Sequence, residues 1–323
     1  MMKIDISDIN KMQATFDRLF EKKAKLQAGR PLPQSALKKI REDLTIEWTY
    51  NSNSIEGNTL TLRETKMILL DGITVKGKSL REHFEAHNHE KAINYLYQLV
   101  NKDYTLRSID ILSLHSLVLR SIEEEYAGRL RNAGVRIVGA NFTPPNASKV
   151  SDLLDELIDF VNINPLGLNE IVLATVFHHK LVWIHPFFDG NGRTVRLAMN
   201  LLLMRSGFPP AIILKHDRKK YYEGLRQADM GNYQKLALLM TQALERTLNI
   251  YLNSLPGNSY DYVEISNLLE EEQLPYGQEY ISLLARSGKI DAHKEGRNWL
   301  TTKAAVTNYM DKRKRKRGRD LIQ

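Results

Sequence analysis

Apolar residues along this chain recur mostly at intervals of three and four. Leu60, Met67, Ile68 and Leu69 form one such set, and Ile109, Leu112, Leu114, Leu117 and Val118 form another. That spacing gathers side chains on one face of an α-helix, so helix is the expected state of most of the chain. Two stretches depart from it. Val135, Arg136, Ile137 and Val138 lead into Gly139, Ala140 and Asn141, with 142–145 returning; residues 289–294 lead into Glu295 and Gly296, with 297–302 returning. Each reads as a β-hairpin with glycine in its turn.

A long helical pattern ends near Leu252, and Leu255, Pro256, Gly257, Asn258 and Ser259 break it, which marks a domain boundary. The remainder predicts a separate small unit: short helices around 265–269 and 280–284, the second hairpin, and a last helix from about Lys303. Helix, helix, hairpin, helix is the order of a winged-helix module. The expected organisation is an N-terminal helical region (1–104), a core (105–254), a winged-helix domain (255–311) and a basic tail (312–323).

Composition changes this picture little. A 42% hydrophobic content suits a globular protein with a core. The chain has no cysteine, which removes disulfides, thiolate metal sites and a thiol nucleophile. No apolar run approaches the roughly 20 residues that span a bilayer, and the first residues lack a signal peptide's apolar core, so a soluble, cytoplasmic protein is expected. The net charge of +8 suggests nucleic acid until its distribution is seen, because residues 312–319 hold seven basic side chains and the rest is nearly balanced. The tail reads as a solvated, disordered end.

The chemistry concentrates in residues 185–196. Asp189, Gly190, Asn191 and Gly192 propagate a helix poorly, whereas 193–199 propagate one well, so the glycines fall at a helix N-terminus. Free backbone N–H groups and the positive end of the helix dipole meet there, and glycine lets a phosphate approach closely. Arg193 and Arg196, three apart, can each fork two donors onto phosphate oxygens. Asp189 offers the hard oxygen that Mg²⁺ prefers. His185, with an ordinary pKa near 6.5, is suited to take a proton from an attacking hydroxyl.

The run His185, Pro186, Phe187, Phe188, Asp189, Gly190, Asn191, Gly192, Arg193, Thr194, Val195, Arg196 resembles the signature of the Fic family at every defined position. The resemblance implies a mainly helical Fic fold with a short β-hairpin flap, and a protein adenylyltransferase that uses ATP and Mg²⁺. His185 would be the base activating a Ser, Thr or Tyr hydroxyl of a protein substrate. Asp189 would hold the metal, Asn191 would contact the α-phosphate region, Gly190 and Gly192 would form the anion cradle, and Arg193 and Arg196 would bind the β- and γ-phosphates. Phe187 would pack inward and anchor the loop. Val135, Arg136, Ile137 and Val138 would belong to the flap, whose edge pairs with the target segment. Tyr222 and Leu225 would line the nucleoside pocket.

Ser52, Asn53, Ser54, Ile55, Glu56 and Gly57 resemble the inhibitory motif found N-terminal to many Fic cores. Glu56 placed against Arg196 would withdraw that arginine from the γ-phosphate. Self-modification, a homodimer, and DNA contact through the winged helix with Arg286, Lys289, Lys294 and Arg297 are further expectations. The alternatives are a DNA-binding regulator with the core as nucleotide sensor, or a related enzyme that removes AMP or transfers another group. His83, His87 and His89 have no HExxH arrangement and read as a partly exposed helix. His178 and His179 read as packed or hydrogen-bonded residues.

Overall fold

The computed structural model describes residues 7–101, 105–137, 142–255, 261–271 and 274–320. Its helices are α1 (Gln13–Ala28), α2 (Gln34–Ile55), α3 (Leu62–Asp71), α4 (Leu80–Val100), α5 (Ser108–Leu119), α6 (Val150–Ile163), α7 (Glu170–Ile184), α8 (Asn191–Arg205), α9 (Arg218–Asp229) and α10 (Gln234–Asn253), followed by α11 (Ile265–Glu271), α12 (Gln278–Arg286) and α13 (Lys303–Asp320). Among the described residues no helix is long and apolar enough to cross a membrane.

Local chemistry sets the boundaries. Thr61 and Ser79 open α3 and α4 with full capping boxes to Glu64 and Glu82, which satisfy N–H groups at both ends of the box. Asn169 caps α7 through the amides of Ile171 and Val172. Helix α7 is buried around nearly its whole circumference, so it is the central helix of the core. It packs along α8, and α4 and α5 flank α8 on its other sides. One apolar cluster joins α1, α2, α4 to α8, α9 and α10.

Residues 261–320 contain the expected order of elements and a core of their own around Ile265, Ile281, Leu284 and Val306. A short strand β1 (Val263–Glu264) joins the hairpin of β2 (Ala292–Glu295) and β3 (Asn298–Thr301), giving an antiparallel sheet in the order β1-β3-β2. This unit is not free of the rest. Lys22, buried on α1, donates to Glu245, to Asn249 at 2.7 Å and to Asp291 at 2.5 Å; Arg246 reaches Glu47 and Glu295; Lys294 pairs with Asp217 at 2.7 Å. Removing one partner from such a buried pair would strand the other charge, so these contacts fix the unit's placement. Helix α13 continues through the basic run to Asp320, where a disordered tail was expected; lysine and arginine are good helix formers.

The first expected hairpin differs. Val135, Arg136 and Ile137 carry no strand, nor do Phe142, Thr143, Pro144 and Pro145, while Val138, Gly139, Ala140 and Asn141 lie outside the described residues. Pro144 and Pro145 have no N–H to give a ladder.

Candidate active site

Helix α7 ends at Ile184 because Pro186 cannot continue it. His185 therefore turns into the left-handed region at φ 50°, with its N–H returning to the Leu181 carbonyl. The next five residues loop back to the start of α8. Gly190 stands at φ 72°, which a side chain would strain, and its position against His115 and Leu119 leaves little room for one.

Three side chains brace this loop. Phe187 is fully buried and stacks on His115, with ring centroids 3.6 Å apart and planes within 4°. His115 reaches the Asp189 carbonyl through Nε2 at 3.0 Å and accepts from the Gly128 amide through Nδ1. Burial pushes its pKa down to about 4, so it holds these bonds as a neutral ring. Asn191 spans the turn, accepting from the Phe187 amide at 3.0 Å and donating to the Phe187 carbonyl at 2.8 Å. Its side-chain amide is thus occupied by the loop, while its backbone opens α8. Phe187→Ala should lower unfolding free energy by about 3–5 kcal/mol, the cost of an emptied aromatic site. Denaturant unfolding measures this, and a loss under about 1 kcal/mol would mean that the ring does not seat the loop.

At the start of α8 the two arginines are buried and differently engaged. Arg196 Nη1 donates to Glu56 Oε1 at 2.8 Å, Nε to Ser52 Oγ at 3.1 Å and Nη2 to the Ser52 carbonyl at 2.8 Å. The guanidinium therefore meets both Ser52 and Glu56 and caps the C-terminal end of α2, where carbonyls lack partners and the helix dipole is negative. Burial opposes its charge, but Glu56 and Tyr221 more than offset that and hold its pKa above the ordinary value. Glu56 itself lies at the rim. A methyl group on Gly192 would overlap the Glu56 carboxylate, so that carboxylate rests directly on this glycine.

Arg193 is 3% exposed. Its Nη1 lies 3.2 Å from Glu85 Oε1 without hydrogen-bond geometry, and its Nε has no partner among the described residues. Donors left open in a buried site are what an anionic ligand would satisfy. Asp189 accepts from Arg81 at 2.5 Å and lies 3.7 Å from Arg193; Arg81 also donates to Glu123 and Glu85.

His185 is half-buried, with its pKa pushed down to about 4. Burial is the main cause and the Arg131 charge adds to it; the Val182 carbonyl, Glu56 and Asp189 oppose it more weakly. Arg131 is 2% exposed and donates to the carbonyls of Ala133, Pro145, Ile184 and His185.

On α9, Tyr222 is half-buried beneath Arg218, whose guanidinium carbon is 4.8 Å from the ring centroid, and Leu225 belongs to the core. Tyr221 faces the site more directly: its ring lies 5.9 Å from Arg196, and its hydroxyl meets His178. His179 bonds Tyr233 and Asp229, so both neighbouring histidines are hydrogen-bonded within the core. The helix carrying His83, His87 and His89 is partly exposed, as expected, with His87 at its open side. His83 and His89 are buried, His83 accepting from the Val75 amide and His89 meeting Thr49. No metal-holding cluster of His, Cys, Asp and Glu occurs among the described residues. Arg131, Arg81, Glu85 and His115 were not singled out by sequence. Only His115 carried a signal, standing among Ile111, Leu114 and Val118 on an apolar helix.

Fold and site together define a helical protein whose glycine turn opens the buried helix α8, with the Glu56 carboxylate lying on Gly192 and pairing with Arg196. Residues 105–203 match the Fic/DOC family. The chain is 35% identical over 286 residues to the protein adenylyltransferase Fic of Aedes aegypti, covering 88% of this chain and 56% of that protein. It is 36% identical over 228 residues to protein adenylyltransferase fic-1 of Caenorhabditis elegans, covering 70% and 44%. The solved structure of residues 134–508 of C. elegans Fic-1 superposes with a TM-score of 0.68 at 32% identity, covering 77% of this chain and 73% of that one. A Fic-domain signaling protein from Bacteroides thetaiotaomicron superposes with a TM-score of 0.69 at 26% identity, covering 76% and 98%. This chain belongs to the Fic/DOC family. It spans about half the length of the curated relatives it matches.

Proposed function

We propose that the chain is a protein adenylyltransferase that moves AMP from ATP to a Ser, Thr or Tyr hydroxyl of a protein, itself included, and that Glu56 restrains it. The observation that carries this reading is the Glu56 carboxylate, which lies on Gly192 and pairs with Arg196 where phosphate oxygens would find the same donors.

In the reaction His185 takes the proton of the attacking hydroxyl, whose oxygen forms a bond to the α-phosphorus of ATP. The bond from that phosphorus to the β-phosphate oxygen breaks, and pyrophosphate leaves. Arg193 and Arg196 hold the β- and γ-phosphates, and the N–H groups at the start of α8 face the phosphates across Gly190 and Gly192. Asp189 fits a Mg²⁺ ligand, because it is a carboxylate beside the phosphate site that already accepts a cation's charge from Arg81. When bound there, Mg²⁺ supplies neutralisation of the phosphate charge. Arg81 would release Asp189 for it. Tyr222 and Leu225 fit the nucleoside side of the site, and residues 135–138 fit the flap that receives the target segment.

Labelled ATP separates this reaction from phosphorylation. Label carried in the α-phosphate should remain on protein, and label carried in the γ-phosphate should not. Retained γ-label would mean that a different group is transferred.

The depressed pKa of His185 has a direct consequence. A general base must be neutral, and a lowered pKa keeps it neutral to more acid pH. For the Glu56→Gly protein, which also lacks a carboxylate that raises this pKa, kcat/KM should stay level on acidification until pH approaches about 4. A pH–rate profile falling with an apparent pKa of about 6.5 would contradict a buried, neutral His185.

A further inference from the structure

We infer that Arg131 is a positioning residue that fixes the two ends of the flap segment against the catalytic loop, and so sets where a target hydroxyl stands relative to His185. The inference rests on the adenylyltransferase reading given above. The side chain of Arg131 bonds backbone carbonyls, and it acts through them.

Its contacts divide into two groups. Toward the catalytic loop, Nε donates to the His185 carbonyl at 2.8 Å, Nη2 to the Ile184 carbonyl at 3.4 Å, and the backbone N–H to the Pro186 carbonyl at 2.9 Å. Three consecutive carbonyls around His185 are therefore held by one residue. Toward the flap, Nη1 donates to the Ala133 carbonyl at 3.0 Å and Nη2 to the Pro145 carbonyl at 2.6 Å. Ala133 and Pro145 bracket the segment 134–144, so one planar fork joins both ends of that segment to the loop bearing the base.

Such a span requires arginine. A guanidinium presents five N–H donors in fixed directions, whereas a lysine ammonium is a point charge with three donors on one nitrogen. Among the described residues no carboxylate pairs with Arg131, although it is nearly fully buried. Its charge is met instead by carbonyl oxygens at the C-terminal end of α7, which lack helical partners and carry the negative end of the dipole. The same contacts support His185 at φ 50°, a conformation in which a residue with a Cβ is seldom found. Without them the flap flank would keep its ring contact of Phe142 with Trp183, 6.3 Å between centroids, but the carbonyls around His185 would lose the donors that tie them to both ends of the segment. Positional error near one ångström costs about a hundredfold in rate.

The test uses the full chain carrying Glu56→Gly, with Arg131→Gln or Arg131→Lys added. Self-modification from α-labelled ATP gives turnover and KM for ATP, and hydrogen–deuterium exchange reports the backbone. Both variants should lose about a hundredfold in turnover at saturating ATP while KM for ATP changes by less than about twofold, because the phosphate contacts are made by other residues. Exchange should quicken at residues 132–137 and 142–147 and stay unchanged along α8. Unchanged exchange in the flap flanks would overturn the inference. So would a KM for ATP that rises in step with lost turnover, or full turnover with lysine. Should the Glu56→Gly parent itself transfer no AMP, the proposed activity fails, and the exchange pattern still decides whether Arg131 ties the two segments together.

Discussion

Replacing Glu56 with glycine should raise the initial rate of AMP transfer about a hundredfold, since a nucleotide misplaced by near an ångström reacts about that much more slowly. The expectation follows from one contact. Glu56 Oε1 is 2.8 Å from Arg196 Nη1, and the carboxylate rests on Gly192. An incoming γ-phosphate would meet a negative charge on the glycine and an arginine whose three donor nitrogens are already committed to Ser52 and Glu56. Removing the carboxylate frees Nη1 and the cradle, while the two bonds to Ser52 continue to hold the guanidinium near its place. Because Glu56 lies at the rim after the last turn of α2, the substitution should leave the fold intact. Incorporation of α-labelled ATP measures the rate, and unchanged incorporation would remove the restraint from the account.

Replacing His185 with alanine should act in the opposite direction and at least as strongly. A positioned general base contributes about 10²–10⁴ in rate. His185 is well placed for that role: half-buried, kept neutral by burial and the Arg131 charge, and fixed in backbone by bonds to the carbonyls on either side. The alanine protein should bind ATP as before, because the proposed phosphate contacts belong to α8. Transfer in the Glu56→Gly background should fall by about 10³, with ATP affinity measured separately by titration. Equal loss of ATP binding would mean that the loop had collapsed and that the residue's role in chemistry was not being tested.

Much of the site could be read from the sequence because its parts are local. The spacing from His185 to Arg196 fixes a helix end, a glycine cradle and two arginines within twelve residues. The pairing of Ser52 and Glu56 with Arg196 spans 144 and 140 positions, and only the resemblance made it legible. The remainder is set by tertiary packing that leaves no local trace. Arg131 looks in sequence like any surface base, and its burial depends on carbonyls from residues 133, 145, 184 and 185. Arg81 and Glu85 read as an exposed i, i+4 pair; one holds Asp189 and the other approaches Arg193. Charge patterning alone also missed the ion pairs that dock residues 261–320 on the rest of the chain, because their partners lie 49 to 269 positions apart. The burial of His83 and His89 on their partly exposed helix was not legible for a related reason: helical period shows which residues share a face but not which neighbouring helix covers that face.

The central claim is that a competent AMP-transfer site is held in check by a carboxylate on its own phosphate cradle. The most direct test is intact-protein mass spectrometry of three full chains incubated side by side with ATP and Mg²⁺: wild type, Glu56→Gly, and Glu56→Gly with His185→Ala. The account predicts a mass gain of one or more AMP groups on the Glu56→Gly protein, little on the wild type over the same time, and none on the double variant. Equal gain on wild type and Glu56→Gly, or gain on the double variant, would contradict it.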